Sequence, residues 1–535
     1  MDNRHFFKNI IIGAGPAGIQ LAYYYEKYNI EYVVLEKESI AGSFFDNFPH
    51  SGKLISINKK YTGSDDKEFN LRHDWNSLLN DDDFSFKNYS DDYYPSSKAL
   101  VEYLNDFAKK FELKIKYNVK VITVEKGEKS ENNEINYKII TENNEIYECN
   151  KLVVAVGLSK PYRPNFNSAP DSIKHYGDFP QGYFLDKDNL KKYENKKIII
   201  IGGGNATFEL ANMLNNVCST IGIIGSVKSN MAISSHYTGD LRSVYMPFLD
   251  TFYLKSLNFI VCDFNTEKFP NKKIIEKEEN GVKKYTIVEA SDESEEAFGN
   301  IKNYDEIIYC TGWQFNNSIF KFDVNLTKNK KYPEINGKYE SSNNPNLFFI
   351  GSLMHSLDCK KSSGGFIHGF RYLIKSFVNM NYNIPNKVLE FKLNGNLDCY
   401  NDLAKHIMYR VNNASSLYQM YGIMSDIFYF DETTKCIKYV EDVTVFNIKK
   451  YTSSNNIIKF NKLVLKYRNN YEYDLRKMGT FDYVDPIFLH IEISIHNGNN
   501  PVDNIIFSDQ LVADFSADSY IKKLSRCLYS CFLVF

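Results

Sequence analysis

Two glycine-rich loops, each leaving a β-branched strand and opening a helical pattern, constrain this chain most. The first is Gly13-Ala14-Gly15-Pro16-Ala17-Gly18, after Asn9-Ile10-Ile11-Ile12. The second is Gly202-Gly203-Gly204-Asn205-Ala206-Thr207, after Lys197-Ile198-Ile199-Ile200-Ile201. A loop of this kind needs one glycine for the tight turn, one where the backbone meets a pyrophosphate, and a third where helix packs on strand. Gly13, Gly15 and Gly18 fill the three places in the first loop. Gly202 and Gly204 fill two in the second, where the β-branched Thr207 takes the third and packs less closely. Each following helix turns its free N–H groups and positive dipole end toward the phosphates. Two such loops predict two dinucleotide sites.

The segments downstream of the loops separate the two sites. After the first come an apolar helix through Gln20–Tyr25 and a buried strand, Tyr32-Val33-Val34-Leu35, ending in Glu36. An acid about twenty residues beyond the first glycine binds ribose hydroxyls, and an N-terminal site of this kind usually holds FAD. After the second, the strand Thr220–Gly225 ends without an acid, and Ser226 and Lys228 come next. That pair suits a ribose 2′-phosphate, so NADPH is expected ahead of NADH. The layout is that of a flavoprotein oxidoreductase exchanging hydride between nicotinamide and flavin.

At 535 residues the chain has room for three or four domains of about 150 residues. A net charge of −2 gives no electrostatic case for nucleic acid. No apolar run is long enough to span a membrane. The first strand begins by residue 9, which leaves no room for a signal peptide and points to the cytoplasm. Asn205-Ala206-Thr207 is a glycosylation acceptor inside the second loop, where a glycan would block the site, which favours the same compartment. The nine cysteines are scattered without a C-x-x-C. Cys527 and Cys531 read as buried small hydrophobes, so a dithiol relay beside a flavin is not expected. No metal site is expected either.

The expected fold is α/β: a split FAD domain (1–160 and 331–395), an inserted NAD(P) domain (161–330), and a C-terminal α+β extension (396–535). Tyr94-Pro95 opens a helix running to Ala108. Two strands, Lys120–Val124 and Tyr137–Ile140, flank a solvated turn, and a mobile acidic loop is expected near 291–296. Two strands end in matching turns, at Gly157 and Gly312. A helix starting near Gly365 is placed to stabilise a reduced-flavin anion. The extension mixes a helix near 402–424 with strands such as Ile457–Phe460.

The split domain, the insertion and the two glycine turns resemble the flavin-containing monooxygenase superfamily. Longer segments resemble the FAD-dependent oxidoreductase domain-containing protein 2 family, an endoplasmic-reticulum flavoprotein family linked to degradation: Lys53–Gly63, Phe69–Leu79, Ser235–Arg242, Lys361–Tyr372 and Ser416–Met420. The resemblance covers about residues 8–425. It implies that Gly42, Ser43 and Phe44 form a turn over the flavin, that Asn58 stands near the flavin C4a edge, and that His73, Asp74 and Trp75 face the substrate. It also implies quality-control partners and an endoplasmic-reticulum site, against the cytoplasmic reading above. The monooxygenase signature Phe-x-Gly-x-x-x-His is replaced by His175-Tyr176-Gly177-Asp178-Phe179-Pro180-Gln181, which counts against N- or S-oxygenation. The leading expectation is therefore an oxidoreductase with a small-molecule or protein acceptor, or oxygen. A monooxygenase and a flavin-bearing interaction scaffold, with the C-terminal 140 residues as its partner surface, stay open.

Overall fold

The computed structural model describes residues 4–129, 135–225, 240–245, 259–263, 266–279, 281–291, 302–359, 362–392, 398–421, 423–431, 433–447, 461–469, 488–497 and 500–510. The expected loop at 291–296, the strand Ile457–Phe460, Cys527 and Cys531 lie wholly or almost wholly outside these residues.

The first strand, Arg4–Ile12, lies between Val33–Leu35 and Ile146–Val154 and is parallel to both. Ile115–Lys116 extends the sheet beyond Val33–Leu35. The strand Ile146–Val154 is shared: its first half pairs with Ile135–Thr141, antiparallel, and its last three residues pair with Leu347–Phe349, parallel. The sheet therefore takes a strand from each side of the insertion. Helix Pro16–Lys27 packs on it and against helix Ile367–Asn381. Helix Ser97–Lys110 begins where the Tyr94-Pro95 pattern places it, capped by the Ser96 side chain on the Ala99 N–H.

The inserted domain enters and leaves through one two-stranded ribbon, Lys160–Pro161 against Trp313–Gln314. Inside is a parallel sheet in the order Phe259–Asp263, Thr220–Gly225, Lys197–Ile201, Glu306–Tyr309, Lys174–His175. Its central strand is isoleucine at four successive positions because both faces are covered. Ile198 and Ile200 pack with Phe208 and Leu210, while Ile199 and Ile201 pack with Ile224 and Ile307.

Two boundaries differ from the sequence reading. Phe315, Phe320 and Val324 already belong to the FAD-side core, so the chain returns near Trp313 rather than at 330. At the other end, Tyr400, Leu403, Ile407 and Leu417 pack into that same core, so no break in packing falls at 396. Arginines knit this junction and the segment 71–77 beside it. Arg371 donates to the carbonyls of Leu71 (2.7 Å), Ser77 (2.8 Å) and Asp74 (3.1 Å). Arg72 donates to those of Val411 (2.6 Å) and Asn413 (3.1 Å). Arg410 grips Asp426 with two nitrogens (2.6 and 3.0 Å) and Asp442 with one (2.7 Å). Beyond it, a sheet of six strands runs from Val388–Lys392 to Asn500–Gln510.

Candidate active site

Both glycine loops open onto one continuous cleft of about 720 Å³. Gly15, Pro16 and Ala17 line it from the first loop, and Gly202, Gly204 and Asn205 from the second. The matching turns at Gly157 and Gly312 line it, as does Gly365 at the start of the third helix. Three helix starts therefore meet at one cleft, and none of Gly15, Gly204 or Phe366, their N-cap residues, uses a side chain to cap its helix. Each start turns the positive end of its helix dipole toward the cleft, the arrangement that favours phosphate and other anionic groups.

The glycines of the first loop have separable jobs. A Cβ on Gly18 would stand 2.0 Å from the Gly13 carbonyl oxygen, so only glycine lets this helix sit so close to its strand. A Cβ on Gly15 would meet nothing within 4 Å. Its open side is the cleft, the space a pyrophosphate would take. Ala14 and Gly13 shape the turn from behind: the Gly13 N–H donates to Leu35 O (2.9 Å), and the Ala14 N–H to Glu36 Oε2 (2.7 Å). Glu36 is buried, and its other oxygen accepts from the Glu38 N–H (3.0 Å). It braces the loop from behind and does not itself line the cleft. The Gly42 N–H donates to Ala14 O (2.9 Å), and Ser43 Oγ reaches Glu36 Oε1 (3.4 Å). Of that turn only Phe44 lines the cleft. These residues fit FAD.

The residues expected on the chemistry sit elsewhere. Asn58 is 1% exposed and does not line the cleft. Its Nδ2 donates to Ser90 O (2.8 Å), which holds the loop at 90–92 against the segment around Asn58. Asp74 caps the next turn: Oδ1 accepts from the N–H groups of Asn76 (3.0 Å) and Ser77 (2.9 Å), and Oδ2 from the hydroxyls of Ser77 and Ser85. A carboxylate so fully engaged is a structural cap. His73 packs on Phe69, and burial lowers its pKa from the ordinary value. Trp75 does reach the cleft, stacked on His368 at 4.1 Å between centroids. Asn205 lines the cleft while clamping the segment 240–242, its Nδ2 on Asp240 O (2.7 Å) and its Oδ1 on the Arg242 N–H (3.1 Å). Ser226 and Lys228 lie outside the described residues.

The cleft also holds residues that the sequence did not single out. Trp313, just past the Gly312 turn, lies over Gly177, where a Cβ would fall 2.2 Å from its ring. The glycine of the altered signature thus makes room for an aromatic wall shared with Phe48 and His175. Burial pushes the His175 imidazole down to about 4, so it is neutral at pH 7. Gln181, in the signature's histidine place, is exposed and does not line the cleft. Tyr176, Glu209 and Tyr245 form a polar group on the inserted-domain side. Burial raises the Glu209 carboxyl above its ordinary value. The signals for these residues are faint, since an isolated glutamate in a helix or a tryptophan after a glycine fits many surfaces.

Residues 10–351 match the family model described as pyridine nucleotide-disulphide oxidoreductase. The chain belongs to that family. It is 34% identical over 454 residues to FAD-dependent oxidoreductase domain-containing protein 2 of Mus musculus, covering 81% of this chain and 66% of the relative. To the Danio rerio protein of the same name it is 33% identical, covering 78% of this chain and 64% of the relative. The resemblance seen in the sequence is borne out, and the chain spans about two thirds of those relatives' length. In fold it is similar to the bacillithiol disulfide reductase of Staphylococcus aureus (TM-score 0.50, 17% identity, 70% of this chain and 99% of that one). A flavin-containing monooxygenase from Stenotrophomonas maltophilia matches as well (TM-score 0.50, 16% identity, 70% and 98%). Family and relatives support a flavin-dependent oxidoreductase, and the two-Rossmann reading of the fold stands. Among the described residues no helix is long and apolar enough to cross a membrane.

Proposed function

We propose that this protein is an FAD-dependent, NADPH-linked oxidoreductase that takes hydride from the nicotinamide and delivers electrons to a small-molecule or protein acceptor, or to oxygen. The observation that carries the reading is the convergence of both glycine loops and the Gly365 helix start on one cleft. When bound, the two cofactors supply the hydride chemistry. The chain supplies binding and orientation. Gly15 and the start of helix Pro16–Lys27 would hold one pyrophosphate, and Gly204 and the start of helix Asn205–Leu214 the other. The N–H groups at the start of helix Ile367–Asn381 favour negative charge in the cleft. Phe44, Phe48 and Trp313 wall it with apolar surface and exclude water.

The test is anaerobic addition of NADPH to the yellow protein. Bleaching of the flavin absorbance is expected, with NADH slower. Replacing Ser226 and Lys228 by alanine together should weaken NADPH at least tenfold and leave NADH nearly unchanged, since a charged hydrogen bond is worth about 1.5–3 kcal/mol. A flavin that stays oxidised under NADPH would remove the nicotinamide link.

A further inference from the structure

Glu209 stands one turn into helix Asn205–Leu214, which starts at the second glycine loop; it is only 4% exposed and lines the cleft. Its partner comes from across the cleft. Oε1 accepts from the backbone N–H of Ser51 at 2.7 Å, in the FAD-side segment 48–51. Tyr176 lines the same part of the cleft. Tyr176 belongs to the inserted domain and holds the same FAD-side segment twice more: its hydroxyl accepts from the His50 N–H (3.2 Å), and its carbonyl pairs with His50 Nε2 (3.0 Å). The His50 ring stands edge-on to Tyr176 at 4.4 Å. Tyr94 and Ser243 add a hydroxyl pair between the same two domains.

The covalent link between the domains is the two-stranded ribbon at Lys160–Pro161 and Trp313–Gln314. Two short strands fix a hinge line but not an angle about it. The angle is set by contacts away from the ribbon, and in the group formed by Ser51, His50, Tyr176, Tyr94, Ser243 and Glu209 only Glu209 carries a carboxyl. A buried carboxylate is a costly way to fill space, and an apolar side chain of similar volume would pack there with less desolvation. What it adds is direction, because a short charge-assisted hydrogen bond from the Ser51 N–H to a buried carboxylate tolerates little displacement.

We propose that Glu209 is a positioning residue: by gripping the Ser51 N–H it locks the helix start at Gly204 to the FAD side, and so fixes the gap across which hydride passes. The proposal rests on the NADPH reading above. Reacting atoms must lie about 3–3.5 Å apart, and a misplacement of about 1 Å costs on the order of 100-fold in rate.

The experiment compares wild type, Glu209→Leu, Glu209→Gln, Tyr176→Phe and the Glu209→Gln/Tyr176→Phe double variant. Each is reduced by NADPH in anaerobic stopped flow, and each is followed by hydrogen exchange of the peptide containing Ser51. Glu209→Leu should keep full FAD, bind NADPH within about threefold, and lose about 10–100-fold in the limiting reduction rate. Its Ser51 peptide should exchange faster. Glu209→Gln keeps only a neutral acceptor for the Ser51 N–H and should fall between wild type and Glu209→Leu in both limiting rate and Ser51 exchange. The double variant should lose less than the two single losses multiplied, since both residues act in one latch. Should Glu209→Leu fail to fold, that non-additivity and the exchange of the Glu209→Gln and Tyr176→Phe proteins decide. An unchanged limiting rate with unchanged exchange, or an effect confined to NADPH affinity, overturns the proposal. If NADPH does not reduce wild type, the functional reading fails by itself, and faster Ser51 exchange in the variants still supports the latch while unchanged exchange sinks it.

Discussion

Alanine at Gly15 and alanine at Gly18 should have opposite effects, although the two glycines share one loop. At Gly15 the backbone is extended, with φ −72° and ψ 179°, and a Cβ meets nothing within 4 Å. A methyl group there adds no strain. The loss of a favourable N-cap glycine and the gain of about 0.4–1 kcal/mol from a stiffer unfolded chain nearly cancel. The flavin-free protein should therefore melt as wild type does. The methyl group does fill the face that a pyrophosphate approaches. Displacing a ligand by that much costs about 1–3 kcal/mol, or roughly 5- to 150-fold in affinity. At Gly18 the Cβ would lie 2.0 Å from the Gly13 carbonyl oxygen, so the helix must move off the strand. That should cost at least about 1–3 kcal/mol of stability before any ligand is considered. The assay is thermal melting with and without added FAD, together with flavin content after purification. A ligand at about 100 times its Kd adds about 2.7 kcal/mol to wild type, and Gly15→Ala at the same FAD concentration should lose about 1–2.4 kcal/mol of that increment. If Gly15→Ala binds FAD as wild type does, or if Gly18→Ala melts unchanged without flavin, that division of labour is wrong.

Asn58→Asp would put a carboxylate where Nδ2 now donates to Ser90 O. It should destabilise the protein by several kcal/mol in denaturant titration while a surviving folded fraction keeps its flavin spectrum. The buried His175, held near 4 against an ordinary 6.5, binds fewer protons folded than unfolded between those values. Its contribution is complete above about pH 6.5 and is lost as pH falls toward 4. His175→Asn should flatten the fall in melting temperature over that window; an unchanged slope would assign it to His50 or His73, whose values are also lowered by burial. Arg410→Ala strands the buried Asp426 and Asp442 and should cost about 3–5 kcal/mol. A loss below about 1 kcal/mol, measured by chemical unfolding, would show that this junction is not held by its ion pairs.

The two loop-and-helix elements that open onto the cleft were legible because each is local. A β-branched run, a glycine turn and a helical repeat lie within about thirty residues of one another, and their physics needs no distant partner. The residues set on the chemistry were misjudged for the opposite reason. Asn58 finds its carbonyl at Ser90, and Asp74 is consumed by Asn76, Ser77 and Ser85, pairings that depend on how one loop folds back. Glu209 reads as one more polar position on an amphipathic helix until its partner, 158 positions earlier, is known. The early return of the chain at Phe315 was hidden too, because apolar residues after a domain crossing look the same whichever core takes them.

The shared strand Ile146–Val154 has a consequence for how the chain is made. Its last residues, Leu152-Val153-Val154, pair with Leu347–Phe349, which lies beyond the whole insertion. A ribosome adding about 5–20 residues per second needs about 10–40 s to supply that neighbour. Through that interval the nascent chain carries an unpaired edge of three aliphatic side chains that end up buried, the kind of surface that templates aggregation. The inserted domain, with its own sheet and core, has time to fold first and hang from the ribbon while the FAD-side sheet waits. Production of soluble protein is then governed by whatever shields that edge during synthesis, a cotranslational vulnerability that stability measurements on the finished protein do not register.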